Sequence, residues 1–268
     1  MQPEKITSAQ NPKIKNLKKL EKASERKEQG LIIIEGLREV VLAVRAGYEI
    51  DSLFICEEIF KDQSEYKLRD ILHIGSSITH YNVSLEVYNT VAYRETTEGI
   101  IAVVKPKQHS LQNLQLKENP LILVIEAVEK PGNLGAMLRT CDAAGVDAVI
   151  ICDTKTDLYN PNVIRSSMGT VFTNVIAVAE TKQAIDYLKK NNIRIFAAEL
   201  TGADVYYKQD FKNASAIVVG SEANGLSADW ISAADARVKI PMLGEIDSLN
   251  VSASAAILLY EARRQRAM

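Results

Sequence analysis

Unbroken apolar runs alternate with amphipathic stretches along most of the chain. In the first hundred residues the runs at 31–34 (LIII), 53–56 (LFIC) and 100–104 (IIAVV) predict buried strands. Helical periodicity predicts helices around 37–46, 63–71 and 84–92 between them. Ahead of these, Gln10-Asn11-Pro12 reads as a turn that starts a helix with Ile14, Leu17 and Leu20 on one face. The stretch Lys105–Pro120 is polar, aperiodic and bracketed by prolines, and it predicts a linker. Beyond it, strands are expected at Leu121–Ile125, Ala148–Cys152, Asn174–Val178, Ile193–Ala198, Ala216–Val219 and Val238–Ile240, with helices over 133–144, 162–168, 182–190, 227–234 and 249–266. The division is therefore residues 1–105, a linker over 106–119, and residues 120–268. Apolar strands between amphipathic helices imply an α/β protein, the second part being a mostly parallel sheet covered on both faces. Ligands in such sheets sit in the loops at the C-terminal ends of the strands.

Composition narrows the class. Of 268 residues, 47% are apolar and 25% charged, the mixture of an ordinary globular protein. No apolar run approaches the roughly 20 residues that span a bilayer, and MQPEKITSAQNPKIK contains no apolar signal core. The expected location is the cytoplasm. The three cysteines, Cys56, Cys141 and Cys152, have no C-x-x-C spacing and read as reduced, buried thiols. His73, His80 and His109 are the only histidines, so the residues after His109 cannot by themselves build a Ser-His-Asp triad or a His-based zinc site. No metal is expected.

Charge is uneven. The net charge is −2, but residues 1–30 hold eight basic groups (Lys5, Lys13, Lys15, Lys18, Lys19, Lys22, Arg26, Lys27) against four acids. That segment is +4, so the rest of the chain carries −6. A helix with a basic outer face can hold phosphates, although a merely solvated face has the same composition.

Three strand-end loops could carry chemistry. The first runs from Glu129 to Arg139 (EKPGNLGAMLR), where Asn133 is expected to cap a helix and Arg139 to stand near the loop end of the sheet. An arginine there suits phosphate or carboxylate. The second, Gly220–Ser227 (GSEANGLS), approaches a P-loop, but Leu226 occupies the position of the phosphate-binding lysine. No G-x-G-x-x-G is present, which argues against a dinucleotide site. The third runs over 240–257, where Ser248 or Asn250 can cap a last helix that opens with small residues.

In this order, the N-x-G-x-x-x-R of 133–139, the IVVGSEANGL of 217–226 and the IPM…SLNVSxSAAI of 240–257 resemble the three signature motifs of the SpoU (TrmH) family of RNA ribose 2′-O-methyltransferases. ITSAQNPKIKNLKKL and LIIIEGLREVVLA resemble that family's appended substrate-binding domain, so the resemblance spans essentially the whole chain. It implies a SPOUT-type catalytic domain with a deep trefoil knot, a homodimer with the active site at its interface, and S-adenosylmethionine as cofactor. Carried over, the cofactor would be held at Leu200, Thr201, Gly220, Ile240, Met242 and Leu249. Asn133, Arg139, Glu222, Ser248 and Asn250 correspond to active-site residues. Lys13, Lys15, Lys18, Lys19, Lys22 and Arg38 correspond to the RNA-binding part. The implied reaction is attack of a ribose 2′-hydroxyl on the cofactor's methyl sulfonium. Ribosomal RNA (23S) is the favoured substrate. The alternatives are a tRNA 2′-O-methyltransferase, a non-catalytic ribosome-assembly protein of the same fold, or a methyltransferase acting on protein or a small molecule.

Overall fold

The computed structural model describes residues 4–60, 78–93 and 98–267. The helix expected over 63–71 and His73 lie outside them. The chain divides into two compact units. The first comprises the residues up to Lys107 together with Leu158–Thr173, and the second comprises Gln108–Asp157 and Asn174 onward.

In the first unit, five strands form a mixed sheet: β1 (Glu4–Ile6), β2 (Ile32–Glu35), β3 (Ile50–Ile55), β4 (Thr79–Val83) and β5 (Ile100–Val104), in the order β1-β4-β3-β5-β2. Antiparallel pairs join β5 to β2 and β3, and parallel pairs join β4 to β3 and β1. Helix α1 (Pro12–Leu20) starts where expected: the Asn11 side chain accepts from Lys13 N, and proline fills the first turn. Its Ile14, Leu17 and Leu20 are buried. Each contributes about 1.5–3 kcal/mol by leaving water. Arg26, on α2 (Ala23–Gln29), is buried and donates to the carbonyls of Leu20 and Glu21, both at 2.7 Å, closing the C-terminus of α1. Helices α3 (Leu37–Arg45) and α4 (Leu85–Asn89) complete the first stretch of this unit.

The expected block 120–268 is not one unit. Leu158–Thr173, with α6 (Pro161–Ser166), belongs to the first. The Tyr159 hydroxyl lies 3.0 Å from that of Tyr48, and the Phe172 ring packs edge-on against Tyr48 at 5.1 Å between centroids. Nor is 106–119 a free linker. Leu111 is buried in the second unit's core, Leu114 and Leu116 pack against it, and Val178 N donates to His109 O. Its three leucines, spaced at three and two residues, are its apolar anchor, diluted by the surrounding polar residues.

The second unit is a seven-stranded, wholly parallel sheet in the order β10-β12-β9-β11-β6-β7-β8. Its strands are β6 (Leu121–Glu126), β7 (Ala148–Cys152), β8 (Ile176–Ala179), β9 (Arg194–Ala198), β10 (Asp204–Val205), β11 (Ser215–Val219) and β12 (Ala236–Lys239). Strands β6, β7 and β11 are buried throughout, as parallel strands covered on both faces must be. Four helices belong to this unit: α5 (Pro131–Ala144), α7 (Thr181–Lys190), α8 (Ala228–Ala233) and α9 (Val251–Arg266). Arg266 fixes the end of α9 by donating to the carbonyls of Asn119, Pro120, Phe211 and Asn213. Among the described residues no helix is long and apolar enough to cross a membrane.

Candidate active site

The segments after β6, β11 and β12 meet at the C-terminal ends of the strands, and side chains from all three, two of them from the first, join a single hydrogen-bonded cluster. Glu222 is its acceptor. Asn133 Nδ2 donates to Glu222 Oε1 at 2.5 Å, and Asn250 Nδ2 donates to the same oxygen at 3.2 Å. Lys130 pairs with Glu222 Oε2 at 2.8 Å. The lysine hydrogen bond is the main reason the Glu222 carboxyl is held below its ordinary range, with the Asn133 bond adding to it. Lys130 is correspondingly raised, chiefly by the same bond.

Local sequence explains each placement. Asn250 caps α9: its Oδ1 accepts from Ser252 N (3.0 Å) and from the Ser252 hydroxyl (2.6 Å), which leaves its amide free to donate. Asn133 was expected to cap α5, and it does not. Proline at the first helical position starts that helix early, with Lys130 as N-cap. Asn133 therefore stands inside the first turn, and its side chain is released toward Glu222. Glu222 rides on a loop closed by two backbone bonds between Ser221 and Gly225. Gly220 makes that closure possible, since a Cβ there would lie 2.2 Å from Gly225 O. Its need for glycine thus comes from the loop's own backbone.

Beside this cluster lies a cavity of about 690 Å³. It is lined by Leu200, Thr201, Gly220, Ile240, Met242 and Leu249, the six residues expected to hold a cofactor, and also by Glu222, Ser248 and Asn250. Lys130 and Asn224 line it too, and sequence reasoning missed both. Lys130 could have been found as the cation immediately before the helix-starting proline, in the same loop set as an unpaired acid.

Arg139 is not part of this arrangement. It is exposed on the third turn of α5, not the second, because the helix starts earlier than expected. It is absent from the cavity wall. In the first unit, Lys15, Lys18, Lys19 and Lys22 are exposed, whereas Lys13 pairs with Glu4 at 3.3 Å and sits over the Tyr81 ring. Arg38 is exposed at the start of α3, with its guanidinium 3.9 Å from the Met168 sulfur. The three cysteines are free and buried, and burial pushes the Cys152 thiol up to about 12 and Cys141 higher still. Among the described residues no group of three or more His, Cys, Asp or Glu side chains is placed to hold a metal ion.

Residues 120–260 match the SpoU rRNA Methylase family, and residues 11–102 match the MRM3-like substrate binding domain. The chain belongs to the SpoU family. A 23S rRNA (guanosine(2553)-2′-O)-methyltransferase, RlmP of Bacillus subtilis (strain 168), is 31% identical over 96% of this chain and 98% of that protein. Among solved structures, an RNA 2′-O ribose methyltransferase has a TM-score of 0.86 at 38% identity, covering 98% of this SpoU chain and 100% of that one. An AdoMet-bound rRNA methyltransferase from Sinorhizobium meliloti has a TM-score of 0.89 at 29% identity, with 98% of each chain covered.

Proposed function

We propose that this SpoU-family protein is an S-adenosylmethionine-dependent methyltransferase of ribose 2′-hydroxyls in ribosomal RNA. The carrying observation is the meeting of Asn133, Glu222 and Asn250, from three separate strand-end loops, at the mouth of one cavity. The cavity suits the cofactor: its volume lies within the roughly 300–1,000 Å³ of small-molecule sites, and its wall combines apolar Leu200, Ile240 and Leu249 with close backbone at Gly220. When bound, S-adenosylmethionine supplies a methyl group on a sulfonium.

The protein's own residues then have separable tasks. Backbone and apolar groups at Gly220, Ile240, Met242 and Leu249 hold and orient, with Leu200 and Thr201 on the other wall. Lys130, Asn133 and Asn250 keep Glu222 ionised and its loop fixed. Ser248, on the cavity wall, offers a hydroxyl to a ribose. Arg139 carries a planar guanidinium fork of the kind that matches phosphate. Its task is electrostatic: it binds an adjacent phosphate or stabilises charge developing on the ribose oxygen. Because it stands outside its own chain's cavity, the reading includes a homodimer through the catalytic unit, in which Arg139 of one subunit serves the cavity of the other. The deep trefoil knot and a cytoplasmic location belong to the same reading, the latter supported by three free thiols.

Ribosomal RNA is favoured by the near full-length similarity to RlmP and by the match of 11–102 to the MRM3-like substrate binding domain. Exposed Lys15, Lys18, Lys19 and Lys22, with Lys13 and Arg38, are the phosphate contacts in this reading. The test is to map 2′-O-methyl positions in RNA from cells with and without the gene. One ribosomal site lost with the gene and restored by it supports the proposal. An unchanged ribosomal pattern with a lost tRNA site moves the substrate to tRNA. Calorimetry that finds no S-adenosylmethionine binding leaves a non-catalytic RNA-binding protein.

A further inference from the structure

Glu126 ends β6 in the interior and lines no part of the cavity. It is only 4% exposed, and a buried carboxylate persists only where its oxygens are hydrogen-bonded. Its Oε2 accepts from Ser227 N at 2.8 Å, and its Oε1 faces the Thr181 hydroxyl at 3.0 Å. That hydroxyl also lies 2.6 Å from Asp153 Oδ2. Thr181 opens α7. Ser227 is the N-cap of α8 and the last residue of the loop that carries Glu222.

The same stretch of chain that begins at Glu126 continues to Lys130 and Asn133, which grip Glu222. A positive φ of 51° at Ala127 turns the backbone between the two sets of contacts. The loop 220–227 is therefore tied to the β6–α5 connection at two places. One tie is at the cavity mouth through Glu222, and the other runs from the exposed Ser227 to the buried Glu126. Between these ties stand Gly225 and Leu226, both in the cavity wall. The outer tie is exposed. The inner one is part-buried: Glu126 lies in the interior, where its carboxylate needs hydrogen-bond partners, and Ser227 lies at the surface.

We propose, resting on the cofactor reading above, that Glu126 is a positioning residue for the cofactor cavity: its carboxylate fixes Ser227 and through it the wall formed by residues 220–227. It touches neither cofactor nor substrate.

The test uses the full chain, with S-adenosylhomocysteine as the calorimetric probe and thermal melting alongside. Glu126→Gln keeps the length. Its carbonyl can accept from Ser227 N while its amide donates to the Thr181 oxygen, so probe affinity should stay within about threefold of wild type. Glu126→Ala frees Ser227 and should weaken the probe by about tenfold or more. Thr181→Val removes the other partner but leaves the Ser227 tie; it should lower the melting temperature while affinity stays at the wild-type value. Should Glu126→Ala fail to fold, Ser227→Pro deletes the N–H, together with a hydroxyl that makes no cap hydrogen bond, at a φ of −67° that proline adopts, and should show the same weakening. A folded Glu126→Ala or Ser227→Pro with wild-type affinity overturns the proposal. So does a Thr181→Val that weakens the probe as much as Glu126→Ala, because the carboxylate would then serve packing in general. Wild-type protein that does not bind the probe overturns the cofactor reading together with this inference.

Discussion

The Asn250 amide donates to Asn133 Oδ1 across 3.2 Å, although 117 residues separate the two in sequence. Each starts or sits in the first turn of a helix that follows a parallel strand, and both turn toward Glu222. The three motifs are thus one structure. Removing any one member takes a hydrogen bond from each of the other two. Asn133→Ala or Asn250→Ala should therefore lower methyl transfer by roughly 10²-fold, the scale of losing one preorganised donor. Single-turnover assays at saturating cofactor would check this, and equal loss in the double variant would confirm that they act as a unit.

Arg139→Ala should abolish methyl transfer while cofactor affinity stays within a few-fold, because the side chain is outside the cavity wall. Arg139→Lys should not rescue, since ammonium lacks the planar fork. Mixing Arg139→Ala with a cavity-dead Leu249→Arg variant should restore about a quarter of the sites if the active site is shared across a two-fold dimer. No recovery on mixing would place Arg139 in its own chain's chemistry.

Gly220 should not tolerate even alanine. A Cβ would collide with the Gly225 carbonyl, which is backbone and cannot swing away. Cofactor affinity should fall by about tenfold or more in Gly220→Ala, measured by calorimetry on folded protein. Gly225→Ala, with no neighbour near its missing Cβ but a φ of +65°, should be milder.

The pH response of the cluster follows from the lowered Glu222 carboxyl. A folded-state pKa below the free value means that the interaction is fully present above about pH 4.3 and is lost as pH falls through the folded value. Lys130→Met removes the principal cause of that depression. The acid limb of cofactor binding should then move to higher pH, while binding near pH 7 to 8 changes little. An unmoved limb would show that Lys130 does not govern Glu222.

Salt should separate the two units' contributions. If about three of the exposed lysines on α1 and just beyond meet phosphates, log RNA affinity should fall with log salt at a slope near −2 to −3. Changing Lys15, Lys18, Lys19 and Lys22 to Ala should weaken RNA and flatten that slope without altering cofactor affinity. Arg26 is excluded from this set: it is buried on carbonyls, so its loss would destabilise the fold.

Most sheet strands and helices were legible because their signals are local: unbroken apolar runs, helical periodicity and turn residues at strand ends; the cavity-lining residues were legible only through the resemblance of the three loop motifs to the SpoU family. Strands β1, β4 and β10 were not, because they are short or polar, with patterns such as EKI, THYNV and DV. The allocation of Tyr159, Val163 and Phe172 to the first unit was invisible too, since apolar residues announce burial but not the core they enter. Asn133 failed as a cap because proline two residues earlier competes for the same helix start. Lys130 was missed because its partner lies 92 positions away in number, and ion pairs leave no periodic trace.

The membership of Leu158–Thr173 in the first unit has a consequence for biosynthesis. A ribosome releases the chain from its N-terminus at about 5–20 residues per second, and domains usually close as they emerge. Here the first unit lacks Tyr159, Ile164 and Phe172 until residue 173 is out, by which time β6, α5 and β7 have already been made. The first unit cannot be completed before part of the second has been made. The N-terminal sheet must wait, partly uncovered, while the opening third of the catalytic unit is synthesised, so translation speed over residues 108–173 sets how long that apolar surface stays open to a chaperone.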